Sequence, residues 1–325
     1  MIISRTPLRV SFVGGGTDLP KFCNKERGAV VSTAIQKYVY IVVHPSFDMD
    51  NLIAYSKIEK TSKVEDIQNP LIREAMKMAG VTKGIGIHSI ADVPAGTGLG
   101  SSSSFAVGLL NALYAYQGKH VSAKRLAEEA SKIEIDILKE QIGRQDHYAA
   151  AFGGLNKIEF IGDEVKIRHL IFSKEKRKEL EKNILMFHLG GQRQSSSVLF
   201  EQGKNLDENP QIFDMHLAMR DLADAMESEI LSDDISKFGE ILHRNWLLKK
   251  SLANSISNSV VDKFYGLALD AGALGGKLLG AGGAGFLLIY AVPEVQNKVR
   301  RALEELREVK LSFEQEGSKI IYNNE

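Results

Sequence analysis

Cysteine is nearly absent: Cys23 is the only one in 325 residues. That excludes an intrachain disulfide and any cysteine-based metal cluster, and a lone Cys with no motif around it reads as a small core residue. An excess of charge of one sign is also missing, with 41 basic against 41 acidic residues. This gives no support for a nucleic-acid or anionic-membrane partner. No apolar run reaches the ~18 residues of a membrane helix. Arg5 and Arg9 interrupt the first apolar stretch, so it does not read as a secretory leader. The eight histidines show no ligand spacing, and His147 reads as a packing or hydrogen-bonding residue. Internal repeats and low-complexity tracts are missing too. So are the commoner phosphate motifs: Gly275-Gly276-Lys277 is followed by Leu278, which breaks a P-loop. Gly280–Gly285 satisfies Gly-x-Gly-x-x-Gly but precedes the strand-like Phe286–Val292 instead of following a strand, the reverse of a dinucleotide fingerprint. What remains is an ordinary globular composition, 44% hydrophobic and 25% charged, long enough for two domains and expected in the cytoplasm.

The first 45 residues predict strands: Leu8–Val13 alternates and ends at Gly14-Gly-Gly16, and Ala29–Ile35 and Tyr38–Val43 are rich in β-branched and aromatic residues. Gly84–Ala91 alternates before Pro94. A helix is expected at about 102–117, and Ser122 can cap another with a stripe of Leu126, Ala130, Ile133 and Ile137. Residues 143–154 form a glycine-bracketed segment, read as a turn around Asp146, followed by short strands to 171. Lys174–Lys182 reads as a solvated helix face near a domain boundary. A buried strand (184–189), helices in 209–251 and 259–271, a glycine loop at 275–285 with its strand, an amphipathic helix at 294–307 and a last strand complete the chain. Strands mixed with helix pairs argue for an α+β fold, divided here into 1–180 and 181–325.

The most informative stretch is Pro94-Ala-Gly-Thr-Gly-Leu-Gly-Ser-Ser-Ser-Ser104. Gly96, Gly98 and Gly100 run directly into four hydroxyls and then the helical spacing of Phe105–Tyr114. A helix N-terminus carries unpaired N–H groups and partial positive charge, which suits a phosphate. Glycines let backbone approach the anion, and a serine hydroxyl can hold a phosphate oxygen or a magnesium ion. One serine would suffice as an N-cap; four after three glycines point to phosphate.

Four segments then fall in order: Thr6–Asp18, the 94–104 loop, Gln145-Asp146 and Lys277–Gly285. Together they resemble the GHMP kinases, a family that includes galactokinase, homoserine kinase and mevalonate kinase. The resemblance implies a two-lobed α+β fold, with a lobe like ribosomal protein S5 domain 2 and a ferredoxin-like C-terminal lobe. It also implies ATP between the lobes, with Mg2+. Arg5-Thr-Pro-Leu-Arg9, Gly14-Gly-Gly-Thr-Asp18, Gly98–Phe105, Gln145–Gly154 and His243–Lys249 are similar to the sugar kinases within it that take D-glycero-D-manno-heptose 7-phosphate. Such enzymes phosphorylate the C1 hydroxyl, supplying nucleotide-activated heptose for surface polysaccharide.

By that resemblance Pro94, Gly96, Gly98, Leu99, Gly100, Ser101, Ser102, Ser103, Ser104 and Gly282 belong to the ATP site. Asp146 corresponds to the aspartate that deprotonates or orients the attacking hydroxyl, and Arg9 to the cation that stabilises developing charge. Asp18 corresponds to a sugar-binding aspartate, and Glu134 with Ser102 to the Mg2+ ligands, with the serine open by one position. The chain departs where Gly15 and Gly16 stand in place of the Glu and His of galactokinase. Loss of that carboxylate suits an anionic substrate. Candidate donors to a 7-phosphate are Arg193, Ser195–Ser197 and Lys249. An unphosphorylated sugar such as L-fucose, and a non-catalytic sensor on the same fold, are the rival expectations. The expected partners are small molecules, and a homo-oligomer is left open.

Overall fold

The computed structural model describes residues 1–191 and 195–324, with the backbone alone at 195 and 196. Two sheets divide the strands. The first contains β1 (Ile2–Val13), β2 (Gly28–Pro45), β3 (Asn51–Ala54), β4 (Ile58–Thr61), β5 (Ile85–Ala91), β6 (Leu155–Ile161), β7 (Glu164–His169) and β12 (Lys319–Asn323). Its order is β12-β1-β2-β5-β3-β4, with β6 on β2 and β7 on β6. Pairing is antiparallel except for β3 with β5. The long β2 holds two partners along its length: Gly28–Thr33 pairs with β6 and Val39–Pro45 with β5. The second sheet runs β11 (Arg307–Glu308), β8 (Ile184–Gly190), β10 (Gly285–Tyr290), β9 (Gly275–Leu278), all antiparallel.

Eleven helices cover these sheets among the described residues: α1 (Pro20–Cys23), α2 (Pro70–Ala79), α3 (Ser101–Tyr116), α4 (Ala123–Ser131), α5 (Gln145–Phe152), α6 (Lys174–Lys182), α7 (Ser195–Glu208), α8 (Pro210–Leu231), α9 (Phe238–Lys250), α10 (Ser259–Asp270) and α11 (Pro293–Ala302). The α3 helix lies on β1 and β2 and is apolar nearly all round because it is buried nearly all round. Along β1, burial alternates to Arg5 and is then continuous. The continuous half is covered on both faces, the second by α8 and α9.

One strand joins the two cores. Phe286, Leu288 and Tyr290 of β10 pack into the core of the first sheet, while Leu287 and Ile289 pack into that of the second. Burial on both faces explains why β10 reads as an unbroken apolar run. Phe238 continues the junction, with ring centroids 5.1 Å from Phe12 and 5.0 Å from Tyr290.

Several expectations need correction. Residues 275–278 are strand, so the glycine loop begins after Leu278. Asp146 lies in the first turn of α5, not in an open turn. A helix begins at Ser195, before the helical region expected from 209. Neither α2 nor the β3–β4 hairpin was anticipated, although Asn69 caps α2 through its side chain and Pro70 follows it. The expected break at 180/181 separates the two sheets except for β12, which crosses back to β1 and removes the C-terminal strand from the second unit.

An ionic cluster ties α8 to the first sheet. Lys157 on β6 bonds Asp224 at 2.5 Å and Glu227 at 2.7 Å, Arg27 bridges Glu159 and Asp224, and Arg168 reaches Glu227. Lys157 and Glu227 are buried, so removing one leaves the other's charge held by a partly exposed partner, Arg168 or Asp224. Lys157→Met should cost about 2 kcal/mol, below the roughly 3–5 kcal/mol of a fully enclosed pair because Asp224 and Arg168 meet solvent. A urea midpoint equal to wild type would show that the cluster does not fasten α8.

Candidate active site

A cleft of about 960 Å³ opens between the two units. The second half of β1, the 14–18 loop, the 94–100 loop, the first turns of α3 and α5, α9 and β9 all reach it.

The phosphate-type loop has the backbone its glycines predict. Gly96, Gly98 and Gly100 have φ of 75°, 86° and 73°. A Cβ on Gly98 would lie 2.4 Å from Leu279 O, and one on Gly280 would lie 2.5 Å from Gly98 Cα. The two glycine loops therefore rest on each other backbone to backbone. Gly100 is the N-cap of α3, so no side chain closes the helix end. The serines do not act as its cap. Ser101, Ser102 and Ser103 line the cleft. Four expected ATP contacts fall elsewhere. Ser104 turns inward and donates to Pro7 O at 2.8 Å. Leu99 is core, and Pro94 is exposed outside the cleft lining. Gly282 packs on the Ile256 backbone, while its neighbours Gly280 and Ala281 line the cleft.

Arg9 and Asp146 meet in a bidentate pair: Nε donates to Oδ1 at 2.6 Å and Nη2 to Oδ2 at 2.5 Å. Nη1 donates to Gly98 O at 2.6 Å, and the Arg9 backbone N–H to Leu99 O at 3.0 Å. The guanidinium thus fixes the carboxylate plane against the glycine loop. Asp18 organises the other side of α5. Its Oδ2 accepts from Gln145 N at 3.1 Å, supplying the cap that Arg144 lacks, and its Oδ1 accepts from Gly16 N and Gln145 Nε2. Burial pushes the Asp18 carboxyl upward, opposed by these hydrogen bonds.

Glu134 owes its place to a change of helical period. After α4 the chain widens into a π-helical segment, Lys132–Ile137. Each residue then advances by less than in an α-helix. Ile137 leaves the expected stripe and is exposed, and Glu134 turns inward with only 4% exposed. Its carboxylate accepts from Ser102 at 2.5 Å, Ser103 at 3.2 Å and His147 Nε2 at 2.6 Å. Burial works to raise its pKa, but these donors, His147 first, hold it below the usual carboxylate value. Among the described residues no group of three or more His, Cys, Asp and Glu gathers as a metal site.

Two buried ammonium groups complete this end of the cleft. Lys249 Nζ donates to Gly15 O at 3.0 Å and Gln202 Oε1 at 2.8 Å, and Lys277 Nζ to Ser11 O at 2.7 Å and Phe12 O at 3.1 Å. Each contacts neutral acceptors, and among the described residues neither has a carboxylate in ion-pair range. Burial lowers Lys249 to about 8, with Asp18 opposing. Burial, Lys249 and Arg9 together press Lys277 well below the usual lysine value. Gly15 and Gly16 floor this end, and Ser11 Oγ and Gln145 Oε1 are buried there with no partner among the described residues. Arg193 lies outside the described residues, and Ser195 is described by its backbone alone at the start of α7.

The opposite end is apolar, lined by Val39, Tyr55, Pro70, Leu71, Ala91 and Phe105. It is suited to a flat aromatic base next to the anion loop. This lining, Lys277 and Ser11 have no motif that singles them out in the sequence. Lys277 left one signal, a lone charge between Gly275-Gly276 and Leu278-Leu279; the apolar lining comes from five separate stretches and left none.

Residues 67–154 match the GHMP kinases N terminal domain and residues 222–307 the GHMP kinases C terminal domain. The chain is 29% identical over 336 residues to the D-glycero-alpha-D-manno-heptose 7-phosphate kinase of Campylobacter jejuni, covering 98% of each. It is 25% identical over 325 residues to the bifunctional fucokinase/GDP-fucose pyrophosphorylase of Arabidopsis thaliana, covering 92% of this chain and 31% of that protein. Its fold matches a D-glycero-D-manno-heptose 1-phosphate kinase from Bacteroides thetaiotaomicron with a TM-score of 0.80, at 24% identity and over 100% of both chains. With a glycine loop at an open helix end and an acid–guanidinium pair beside it, the chain belongs to the GHMP kinases, phosphotransferases that use ATP as co-substrate and an alcohol group as acceptor.

Proposed function

We propose that this kinase phosphorylates the C1 hydroxyl of D-glycero-D-manno-heptose 7-phosphate in the cytoplasm, toward nucleotide-activated heptose for surface polysaccharide. The observation that carries the choice of an anionic sugar is the buried Lys249 ammonium, bonded to the neutral Gly15 O and Gln202 Oε1 beside Gly16, with Lys277 buried in the same cleft lining. Burying positive charge without a counter-ion is costly, and an incoming phosphate offsets that cost. The similarity to the Campylobacter jejuni enzyme supports the same choice.

The residues divide the work. The backbone at Gly96–Gly100 and the first turn of α3 cradle the ATP phosphates, with Ser101, Ser102 and Ser103 as hydroxyl donors. Asp146 accepts or orients the C1 hydroxyl proton, its carboxylate held by Arg9, which also faces the charge developing on the transferred phosphoryl group. Asp18, Ser11 and Gln145 take sugar hydroxyls, and Lys249 and Arg193 the 7-phosphate. The donors fit Mg2+: Glu134 and Ser102 present only oxygen, at a buried carboxylate beside the phosphate-binding helix end. When bound, that ion neutralises charge on the phosphates.

The test is Mg2+-dependent ADP release with heptose 7-phosphate beside fucose, mannose, galactose and mevalonate. Turnover of the heptose phosphate alone is expected, and Asp146→Asn should lower kcat by roughly 10²–10⁴-fold, the usual share of a positioned base. Arg193→Ala should raise KM for the sugar phosphate and not for ATP. Turnover of a neutral sugar alone overturns the substrate, and ATP binding without turnover of any sugar points to a sensor.

A pH series tests the anion site separately. A sugar phosphate is already dianionic above its second pKa of about 6. Lys249, lowered to about 8, keeps its proton below that pH and loses it above. Asp18, Lys277 and His216 surround it, and of these Asp18 supports the charge. KM for heptose 7-phosphate should therefore be flat up to about pH 8 and climb beyond it. A KM that stays flat or falls through that range removes Lys249 from phosphate binding.

A further inference from the structure

We infer that Gln202 and His216 are positioning residues for Lys249, forming a buried hydrogen-bond chain of fixed polarity that aims its ammonium at the anionic group of the acceptor sugar. This deepens the heptose 7-phosphate reading and rests on it.

The polarity follows link by link. His216 Nδ1 lies 2.7 Å from Ile212 O. A carbonyl only accepts, so Nδ1 carries the proton. Burial pushes His216 down to about 4, so the ring is neutral at pH 7 and its Nε2 is a bare acceptor. The Gln202 amide lies 2.9 Å from that nitrogen and must present its NH2 group to it. The amide oxygen is thereby turned the other way, to Lys249 Nζ at 2.8 Å. A second ammonium proton goes to Gly15 O. The third is left for the cleft that Lys249 lines.

Three helices supply this chain, α7 with Gln202, α8 with His216 and α9 with Lys249, and all three side chains are buried. Its space is reserved by Gly16, where a Cβ would sit 2.3 Å from Gln202 Nε2 and 3.2 Å from Lys249 Nζ. The choice of an amide at 202 is itself informative. Glutamate there would bond Lys249 equally well but neutralise it, leaving nothing to attract an anion. Glutamine holds the ammonium in place without neutralising it. Histidine at 216 is the part that prevents the amide from flipping. Without an acceptor there, the NH2 group can turn toward Lys249 and repel it.

The experiment is a double-mutant cycle read on KM. His216→Phe should raise KM for heptose 7-phosphate by roughly tenfold or more, with KM for ATP within about twofold, the loss expected for a misdirected hydrogen bond to a charged group. In a Lys249→Met background the same substitution should add nothing. Equal effects in both backgrounds would mean His216 acts on packing alone and overturns the inference. Gln202→Glu should raise KM for the sugar phosphate and spare that for ATP; an unchanged KM overturns it. Nitrogen-15 NMR of the wild-type ring decides the matter without any variant. The neutral Nδ1–H tautomer of His216 is expected at pH 7, and an Nε2–H tautomer or an imidazolium breaks the chain at its first link. If only a neutral sugar is turned over, the heptose reading fails, while the tautomer and the coupling measured on that sugar still decide whether the chain directs Lys249.

Discussion

Everything at the reacting centre hangs on the placement of one guanidinium. Arg9 leaves β1 where both faces of the strand are covered, and its donors tie that strand to two other parts of the chain. Its backbone N–H holds Leu99 O, Nη1 holds Gly98 O, and Nε with Nη2 grips Asp146. The first strand, the anion loop and the helix bearing the acid are thereby held in one geometry. A lysine has no planar fork and cannot make these contacts together. The glycines of the loop follow from the same constraint. With Gly98 O committed to Arg9, the loop can approach the 279–280 backbone only if neither Gly98 nor Gly280 carries a Cβ.

Around this joint the charges are separated by function. Arg9 is matched by Asp146, and Glu134 by His147 and two serines, so the end proposed for phosphoryl transfer is internally satisfied. The end proposed for the sugar is not. Lys249 and Lys277 rest on carbonyls and an amide, and Asp18 is the carboxylate near enough to support Lys249. Such an end discriminates by need: an anionic ligand relieves its charge, whereas a neutral one leaves the desolvation cost standing. On the proposed reading Gly15 works in the same direction, since a carboxylate side chain there would sit against Lys249 and compete with an anionic ligand.

Much of this was legible before any coordinate. The glycine–serine loop, the acid at 146, the arginine at 9 and the buried strand after the third glycine motif each leave a local pattern: a composition, a spacing or an apolar run. What stayed hidden depends on rotation or on distance in the chain. No local rule announces that the helix after Ser131 changes to π-helical period, yet that change brings Glu134 in and puts Ile137 out. Ser104 belongs to the motif by sequence but faces the core, because a helix first turn presents its side chains in different directions, and Leu99 is core in the loop before the helix. Gln202 and His216 carry no motif and meet Lys249 only because three helices pack together. The crossing of β12 back to β1 likewise rests on pairing across 300 residues of chain, which periodicity does not report.

The site is therefore a property of the junction between the two units. Arg9, Asp18, Glu134 and Asp146 come from the part built on the first sheet; Lys249 and Lys277 come from α9 and β9 beside the second. Their relative placement is fixed by the doubly buried β10 and the Phe12–Phe238–Tyr290 ring contacts. Reaction rates depend on sub-ångström alignment of acceptor and phosphoryl donor, so packing at that seam acts on catalysis without touching substrate. A cavity opened at Phe238 would loosen the seam as well as weaken the core. Its effect would reach the sugar end first, because Lys249 is on the same helix as Phe238, while Arg9 and Asp146 keep their contacts within the first unit. On the proposed assignment, the second unit contributes the lysines of the acceptor end, while Arg9, Asp146 and Glu134 all come from the first.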